Sequence, residues 1–259
     1  MTYQSNVLVI LSGGQDSTTA LLWAKANFEK IHALTFDYGQ THALEIAAAI
    51  KVGSIVGVSH HQIIRVPDLL HSTSPLTSKK ELEEYKDYDS MVKKIGDRIE
   101  ATFIPMRNAF FAVIGANRAI ALGCRDMVMG VCAEDTANYP DCRASFIYSM
   151  ERTINQALGW DEDSNDIKFK IHTPVLLMSK SMAIKWAKKE FPKWEEAMAH
   201  THTSYDGKYP PAGMNHANIL RAKGFEEAGI PDPLVVRAWQ EKLMQLPETN
   251  NYDCLRIEL

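Results

Sequence analysis

The sequence predicts an α/β protein with a doubly wound, mostly parallel sheet. Continuous apolar runs of strand length alternate with helical stretches over the first two-thirds of the 259-residue chain. The first apolar run leads directly into a glycine-rich turn and then a helix. Such runs are typical of strands buried on both faces of a parallel sheet. Their alternation with helices predicts right-handed βαβ crossovers.

The first five elements give the order βαβαβ. Residues 7–11 (VLVIL) are the first predicted strand, and residues 17–27 form a helix with Leu and Ala toward the core. Residues 32–38 are the second strand, and the Ala/Ile-rich residues 43–57 the second helix. Residues 62–66 are the third strand.

The middle of the chain first interrupts this order and then resumes it. Residues 72–102 are rich in Lys, Glu, Asp and Ser, which favours either a solvated excursion or a lid over the site. Residues 108–122 form a helix that is apolar nearly all round, and residues 126–131 a buried strand. An amphipathic helix over 143–158 and a strand over 167–175 follow.

The last part of the chain has a different composition. Ser179 is a good N-cap for a helix that reaches residue 189. After residue 191 the sequence is rich in Pro, Trp and His and has no strand-like runs. We therefore expect a main domain over residues 1–190 and a small, mostly helical C-terminal extension over 191–259.

Composition and charge exclude several classes of protein. The chain is 46% hydrophobic and 23% charged, with a net charge of −4, so nothing favours nucleic acid or an anionic membrane as partner. No apolar run is long enough to span a bilayer, and the N-terminus lacks the pattern of a secretory signal. The four cysteines form no CxxC pair, which favours reduced thiols and a cytoplasmic location.

The strongest functional signal is SGGQDS, residues 12–17, between the first strand and the first helix. The glycines allow a tight turn and a close ligand, and the helix N-terminus offers free N–H groups. Ser12 and Ser17 add hydroxyl donors. The segment therefore predicts a polyphosphate cradle, and it is not a Walker A loop because GxxxxGK[ST] is absent.

This motif resembles the PP-loop of the N-type ATP pyrophosphatases, which have the adenine nucleotide alpha hydrolase-like fold. Over nearly the whole chain the sequence resembles the QueC family of 7-cyano-7-deazaguanine synthases. The matching stretches are SGGQDSTTALLWA from Ser12, ALTFDYGQTHALE from Ala33, FIPMRNAFF from Phe103, GVCAEDTANYPDCRASFI from Gly130, KIHTPVLLMSK from Lys170 and GFEEAGIPDPL from Gly224.

The resemblance implies a reaction and its cofactors. QueC-type enzymes adenylate 7-carboxy-7-deazaguanine with ATP and release pyrophosphate. They then form an amide with ammonia and dehydrate it to a nitrile with a second ATP. Adenylation removes the negative charge of the carboxylate and supplies AMP as a leaving group. We therefore expect ATP and Mg²⁺, with Asp16 as a magnesium ligand or, alternatively, a structural cap.

The resemblance also implies two sets of site residues. Arg107 and Lys180 would stabilise phosphate charge, although an ordinary ion pair is an alternative for each. For Phe36 and Tyr139 a core role remains open beside stacking on the base. The ATP-binding set is Leu11, Ser12, Gly13, Gly14, Gln15, Asp16, Ser17, Thr18, Arg107 and Lys180. The set predicted to bind the deazaguanine acid is Phe36, Gln40, Asp135, Tyr139, Asp141 and Arg143.

The sequence departs from the family near its C-terminus. The family has a zinc site of four cysteines there, and this chain has Ser204, Ala212, Asn215 and Asn218 in their places. Ser and Asn are poor zinc ligands and Ala is none, so zinc is not expected. An alternative metal set would be His200, His202, Asp206 and His216.

Several functions stay open from the sequence. The acceptor of the acyl group is ammonia or a protein amine, the latter because QueC-like paralogues occur in antiphage-defence operons. Ordinary nitrile synthesis and a non-catalytic nucleotide-binding scaffold are alternatives. A tRNA-modifying PP-loop enzyme is disfavoured because no basic RNA-binding appendage is visible. The resemblance favours a homodimer.

Overall fold

Five parallel strands form one sheet, in the order β3-β2-β1-β4-β5. The computed structural model describes residues 4–39, 43–67, 69–78, 80–132, 139–160, 168–205 and 207–256. The strands are β1 (Gln4–Ile10), β2 (Phe28–Asp37), β3 (His60–Arg65), β4 (Asp126–Val128) and β5 (Lys170–His172). The doubly wound α/β fold that the sequence predicts is confirmed.

Helices cover both faces of the sheet. In the first 160 residues they are α1 (Gln15–Asn27), α2 (Ala43–Val56), α3 (Tyr88–Ile95), α4 (Arg107–Ala121) and α5 (Ala144–Ala157). Later in the chain they are α6 (Lys180–Glu190), α7 (Trp194–Ala199), α8 (His216–Ala228), α9 (Pro233–Gln240) and α10 (Asp253–Arg256). Short 3-10 turns lie at Pro140–Cys142 and Asn250–Tyr252. No described helix is both long and apolar enough to cross a membrane.

The strand order places a topological switch point between β1 and β4. Val7 of β1 pairs with Ile31 of β2 on one side and with Asp126 of β4 on the other. From β1 the chain runs outward through β2 to β3, then crosses back to β4 and β5 on the opposite side. In doubly wound sheets, ligands bind at the carboxyl ends of the strands at such a point. The SGGQDS segment follows β1 at this edge.

Two hydrophobic clusters lie on the two faces. One joins α1 and α2 to the C-terminal helices through Trp194, Met198 and Phe225. The other joins α4 and α5 to the sheet through residues such as Met127 and Phe169. The chain after residue 190 therefore shares its core with the N-terminal strands and helices.

Two strands are shorter than predicted. β4 ends at Val128 rather than at residue 131 because Gly130 passes directly over α1. A Cβ at Gly130 would lie 2.5 Å from the Ser17 Cα. β5 ends at His172 rather than at residue 175, and Pro174 has no N–H with which to extend a ladder.

The polar segment 72–102 is partly folded onto the C-terminal helices. It contains α3, whose N-cap Asp87 forms a capping box with Ser90. Met91 and Ile95 of α3 are buried against Ile219 and Leu220 of α8. The segment is thus docked against the protein as well as solvated.

Candidate active site

The SGGQDS loop is held in shape by its own hydroxyl groups. The Oγ atoms of Ser12 and Ser17 lie 3.0 Å apart, and Ser17 Oγ donates to the Gly14 carbonyl oxygen at 3.1 Å. The Gly14 N–H donates to Ser12 Oγ at 3.3 Å. The loop therefore reaches the N-terminus of α1 preorganised, with a rim of polar groups that suits an anionic ligand.

Gly13 makes this loop possible. Its φ is +86°, a left-handed conformation that L side chains rarely adopt. A Cβ at this position would lie 2.5 Å from the backbone oxygen of Glu45 and 2.6 Å from the backbone nitrogen of Ala49. The first turns of α2 thus pack directly on the loop, and no larger residue fits.

Asp16 and Lys180 form an ion pair beside the loop. Lys180 Nζ lies 2.9 Å from Asp16 Oδ2 and 3.3 Å from Cys132 Sγ, and the lysine is buried. Lys180 opens α6, and Ser179 caps that helix by accepting from the Met182 N–H at 3.2 Å. The N-cap prediction is confirmed, and this cap positions the ammonium group at the loop.

A cavity of about 220 Å³ opens in front of the loop at the ends of β1, β2 and β4. Eight of the ten residues predicted to bind ATP line it: Leu11, Ser12, Gly14, Gln15, Asp16, Ser17, Arg107 and Lys180. Gly13 and Thr18 do not, because Gly13 packs under α2 and Thr18 is fully buried in α1. The loop, the ammonium group and the guanidinium group together fit a polyphosphate. The Asp16 carboxylate beside them suits Mg²⁺, which takes its other ligands from phosphates and water.

Arg107 is surrounded by tyrosines on the opposite wall. It begins α4 and hydrogen-bonds to Tyr38. Burial disfavours the guanidinium charge, but Tyr38, Tyr205, Tyr139 and Asp141 raise the pKa of Arg107 overall. Burial raises the pKa of the Tyr38 hydroxyl to about 12. The wall therefore offers one permanent positive charge among neutral hydroxyl groups.

The predicted acid-binding residues separate into three groups. Phe36 and Tyr139 line the cavity, and Phe36 stacks on Phe111 with ring centroids 4.4 Å apart. Asp141 and Arg143 are not among the described lining residues. Gln40 and Asp135 lie outside the described residues.

Asp141 has a structural contact that the sequence did not indicate. Its Oδ2 accepts from the Asn108 N–H at 3.2 Å, at the N-terminus of α4, and burial raises its pKa. Arg143 is the exposed N-cap residue of α5. Contact of these two residues with the acid therefore stays a prediction.

Tyr139 is fixed by a chain of hydrogen bonds from the segment 72–102. Its hydroxyl lies 2.6 Å from Thr102 Oγ1. The buried carboxylate of Glu100 accepts from the Thr102 N–H at 2.6 Å and from the Tyr85 hydroxyl at 3.4 Å. The same segment supplies Leu76 to the cavity wall. Part of the predicted lid or excursion is thus built into the site.

The sequence model of the family described as "Queuosine biosynthesis protein QueC" matches residues 6–229. The chain belongs to the QueC family. A 7-cyano-7-deazaguanine synthase of Gloeobacter violaceus is 40% identical over 228 residues, which are 88% of this chain and 94% of the relative. Another, of Laribacter hongkongensis, is 37% identical over 233 residues, covering 90% and 95%. Membership together with the loop supports an ATP-using enzyme.

The fold of one solved structure also has a low similarity to that of this chain. The predicted tRNA methyltransferase subunit of Methanocaldococcus jannaschii has a TM-score of 0.44 and 16% identity, and covers 82% of this chain and 96% of its own. That likeness carries no functional argument.

In this QueC-family chain, hydrogen bonds join the four residues that stand in place of the family's zinc cysteines. Asn218 Nδ2 donates to Ser204 Oγ at 3.1 Å and to the Ala212 backbone oxygen at 2.8 Å. Asn215 caps α8 by accepting from the Asn218 N–H at 3.1 Å, and its own Nδ2 lies 3.4 Å from Ser204 Oγ. Amide nitrogens that donate hydrogen bonds inward do not fit a zinc ion.

The alternative histidine set does not converge in the described residues. His200 Nδ1 lies 2.6 Å from Arg237 Nη1, whereas His202 and His216 line the cavity. Asp206 lies outside the described residues. Among the residues that the structure describes, no group of three His, Cys, Asp or Glu is placed to hold a metal.

Sequence reasoning missed several residues that line the cavity. Tertiary contacts bring them together: Thr35, Tyr38, Glu45, Phe111, Cys142 and Tyr205. His202 and His216, named from the sequence only as alternative metal ligands, line the same cavity. Tyr38 had a usable signal, because it directly follows β2 at the ligand edge of the sheet. Glu45 lies inside a stretch that resembles the family, but nothing in the Ala/Ile-rich pattern of its helix distinguishes it.

Proposed function

We propose that the protein activates a 7-deazaguanine carboxylate with ATP and transfers the acyl group to an amine. The observation that carries this proposal is the preorganised SGGQDS loop with Lys180 beside it and Arg107 across the same cavity. The names of the QueC relatives supply the substrate class, because those proteins are 7-cyano-7-deazaguanine synthases. The aromatic wall around Phe36 and Tyr139 suits a flat heterocyclic base.

The loop, Lys180 and Arg107 have different roles in the first step, which is the adenylation of the carboxylate. The loop N–H groups and hydroxyls bind and orient the phosphates, and Lys180 stabilises charge on the departing pyrophosphate. Arg107 attracts the carboxylate and holds it near the α-phosphate, where the attacking oxygen displaces pyrophosphate. Magnesium, held by Asp16 and phosphate oxygens, would supply charge neutralisation when bound.

The first experiment is ATP–pyrophosphate exchange with purified protein. We expect exchange that depends on 7-carboxy-7-deazaguanine and is absent with guanine, which has no carboxylate. Asp16→Asn is expected to abolish exchange while the circular dichroism spectrum stays native. Exchange that ignores the acid would refute the substrate, and a fully active Asp16→Asn protein would refute the metal contact.

The acceptor is resolved by mass spectrometry of the products. We propose an amide as the product, formed with ammonia or with a protein amine of a defence system. The runner-up is complete nitrile synthesis, which the names of the relatives, 7-cyano-7-deazaguanine synthases, favour. A nitrile product differs from the amide by the loss of one water and by a second ATP consumed. No turnover at all, with ATP still bound, would instead favour a nucleotide-binding scaffold.

A further inference from the structure

Glu45 occupies a position in the site that its sequence context did not indicate. It lies in the first turn of α2, and its backbone oxygen covers Gly13 of the phosphate loop. Its half-buried side chain lines the same cavity as Asp16 and Arg107. The close packing on Gly13 fixes α2 relative to the loop, so Glu45 has a defined place in the cavity that the loop lines.

The surroundings of Glu45 differ from those of the other carboxylates near the cavity. Asp16 is paired with Lys180 at 2.9 Å, and Asp141 accepts from the N-terminus of α4. Arg107 and Tyr38 interact electrostatically with Glu45. The other charged or titratable side chains that line the same cavity are Asp16, Lys180, Tyr139, His202, Tyr205 and His216. Burial raises the pKa of Glu45 to about 7, although the charge of Arg107 opposes this shift.

A buried carboxyl group with a raised pKa can act as a proton acceptor. A general base is most effective when its pKa lies near the working pH, because it is then both partly deprotonated and basic enough. Burial is a common means of raising a carboxyl pKa for this purpose. An ordinary exposed glutamate would be too weak a base to take a proton from an attacking amine.

We propose that Glu45 is the catalytic base that accepts the proton released when the amine attacks the activated acyl group. This inference rests on the proposed function. The amine nitrogen forms a bond to the acyl carbon, and one N–H proton passes to the Glu45 carboxylate. The bond between the acyl carbon and the AMP oxygen breaks, and its electron pair leaves on AMP. Arg107 and Lys180 stabilise the negative charge of that leaving group.

The test separates the two half-reactions with Glu45→Gln. The glutamine has nearly the same shape but cannot accept the proton. We expect acid-dependent ATP–pyrophosphate exchange within about twofold of wild type, while amide formation from ammonium chloride falls about 10²- to 10³-fold. Glu195→Gln, at an exposed position of α7, is the matched control and should leave both rates unchanged.

Two further readouts distinguish a base from a merely structural residue. With wild type, the rate of amide formation at saturating ammonium should rise with pH through about 7, as Glu45 loses its proton. In the Glu45→Gln protein the rate of amide formation should not rise with pH in this range. Hydroxylamine, a stronger and largely unprotonated nucleophile, should restore most of the acyl transfer in the variant.

Each contrary result has a distinct meaning. Amide formation by Glu45→Gln at the wild-type rate overturns the proposal. A parallel loss of exchange, or a raised KM for the acid in exchange, also overturns it, because Glu45 would then bind the base or the nucleotide. Failure of wild type to exchange at all refutes the proposed function itself, and is distinguishable because no variant is needed to observe it.

Discussion

At the scale of single residues, Lys180 and Asp16 depend on each other. Lys180 Nζ is buried, and its recorded contacts are Asp16 Oδ2 at 2.9 Å and Cys132 Sγ at 3.3 Å. We expect Lys180→Met to lower exchange activity by about 10²-fold, because it removes a charge from the phosphate site. It should also lower the free energy of unfolding by about 1–3 kcal/mol, since the partly buried ion pair with Asp16 is lost.

The control for this prediction is Lys185→Met on the same helix. Lys185 is exposed and donates to the Glu227 backbone oxygen at 3.2 Å. We expect its substitution to change stability by less than about 0.5 kcal/mol and to leave exchange intact. Urea denaturation and exchange kinetics on both variants provide the measurement. Equal effects at the two positions would contradict a special role for Lys180.

Single residues also show how far a local sequence pattern can predict the site. The phosphate loop was readable because its chemistry requires glycines and hydroxyls at consecutive positions. The structural contact of Asp141 could not be predicted because its partner, the Asn108 N–H, lies at the start of another helix. Glu45 was missed because its burial is created by Arg107 and Tyr38, which only the folded chain brings near. Outside the motif, family resemblance located Arg107, Lys180, Phe36 and Tyr139, whereas tertiary contacts decided residues such as Glu45.

At the scale of elements, α3 holds the segment 72–102 against the protein. Ile95 is 6% exposed and packs with Met91 against α8. We expect Ile95→Ala to lower the free energy of unfolding by about 2–5 kcal/mol if the segment unfolds together with the core. It should also raise the KM for the acid, because the segment carries Glu100 and Thr102, which fix Tyr139.

The matched control is Val92→Ala, one position after Met91 and 48% exposed. It should change stability by less than about 0.5 kcal/mol. Limited proteolysis should cleave the Ile95→Ala protein within residues 72–102 faster than either wild type or the control. Resistance equal to wild type would show that α3 is not the element that holds this segment.

At the same scale, a cluster of hydrogen bonds around Ser204 stabilises the start of α8. Asn218 Nδ2 donates to Ser204 Oγ and to the backbone oxygens of Ala212 and Gly213. We expect Asn218→Ala to lower the free energy of unfolding by about 1 kcal/mol, because the buried Ser204 hydroxyl and two exposed backbone oxygens lose a donor. Asn27→Ala, which removes one exposed hydrogen bond to Trp23, is the control.

Metal removal tests the same cluster independently. We expect the melting temperature to be unchanged by EDTA, because hydrogen bonds between amide and hydroxyl groups stabilise this region in place of a metal. A fall in melting temperature with EDTA that zinc reverses would contradict this view. Elemental analysis of the untreated protein completes the measurement.

The elements differ in how well the sequence predicts them, for physical reasons. Strands buried on both faces give continuous apolar runs, so β1, β2 and β3 were placed within a few residues. The helix α3 was missed because Met91 and Ile95 are the two buried residues of a highly charged helix. Two apolar residues four positions apart are a weak signal, and their partner α8 is distant in the sequence.

At the scale of the whole molecule, buried histidines couple stability to pH. His32 in β2 is 4% exposed, and neither ring nitrogen has a hydrogen-bond partner among the described atoms. Burial, with the charge of Lys30, lowers the pKa of His32 below 6.5. His61 has a lowered pKa too, also mainly through burial. Its Nε2 lies 2.8 Å from Thr35 Oγ1, which donates to the Leu11 carbonyl oxygen at 2.6 Å.

These shifts fix the direction of the acid response. A histidine with a lowered pKa in the folded state takes up a proton more readily when the chain unfolds. Its contribution to stability is therefore complete above pH 6.5 and is lost as the pH falls below that value towards the folded-state pKa. Each such histidine adds at most about 1.4 kcal/mol per pH unit to the slope.

We expect His32→Leu to flatten this slope below pH 6.5, because leucine carries no titratable group. At pH 8 the variant should be as stable as wild type or more so, since replacing buried nitrogens that lack partners removes a desolvation cost. Urea denaturation at a series of pH values between 5 and 8 on the two proteins measures both effects. Parallel curves across that range would show that the pKa of His32 is the same in the folded and unfolded states, and that the acid sensitivity of the molecule arises elsewhere.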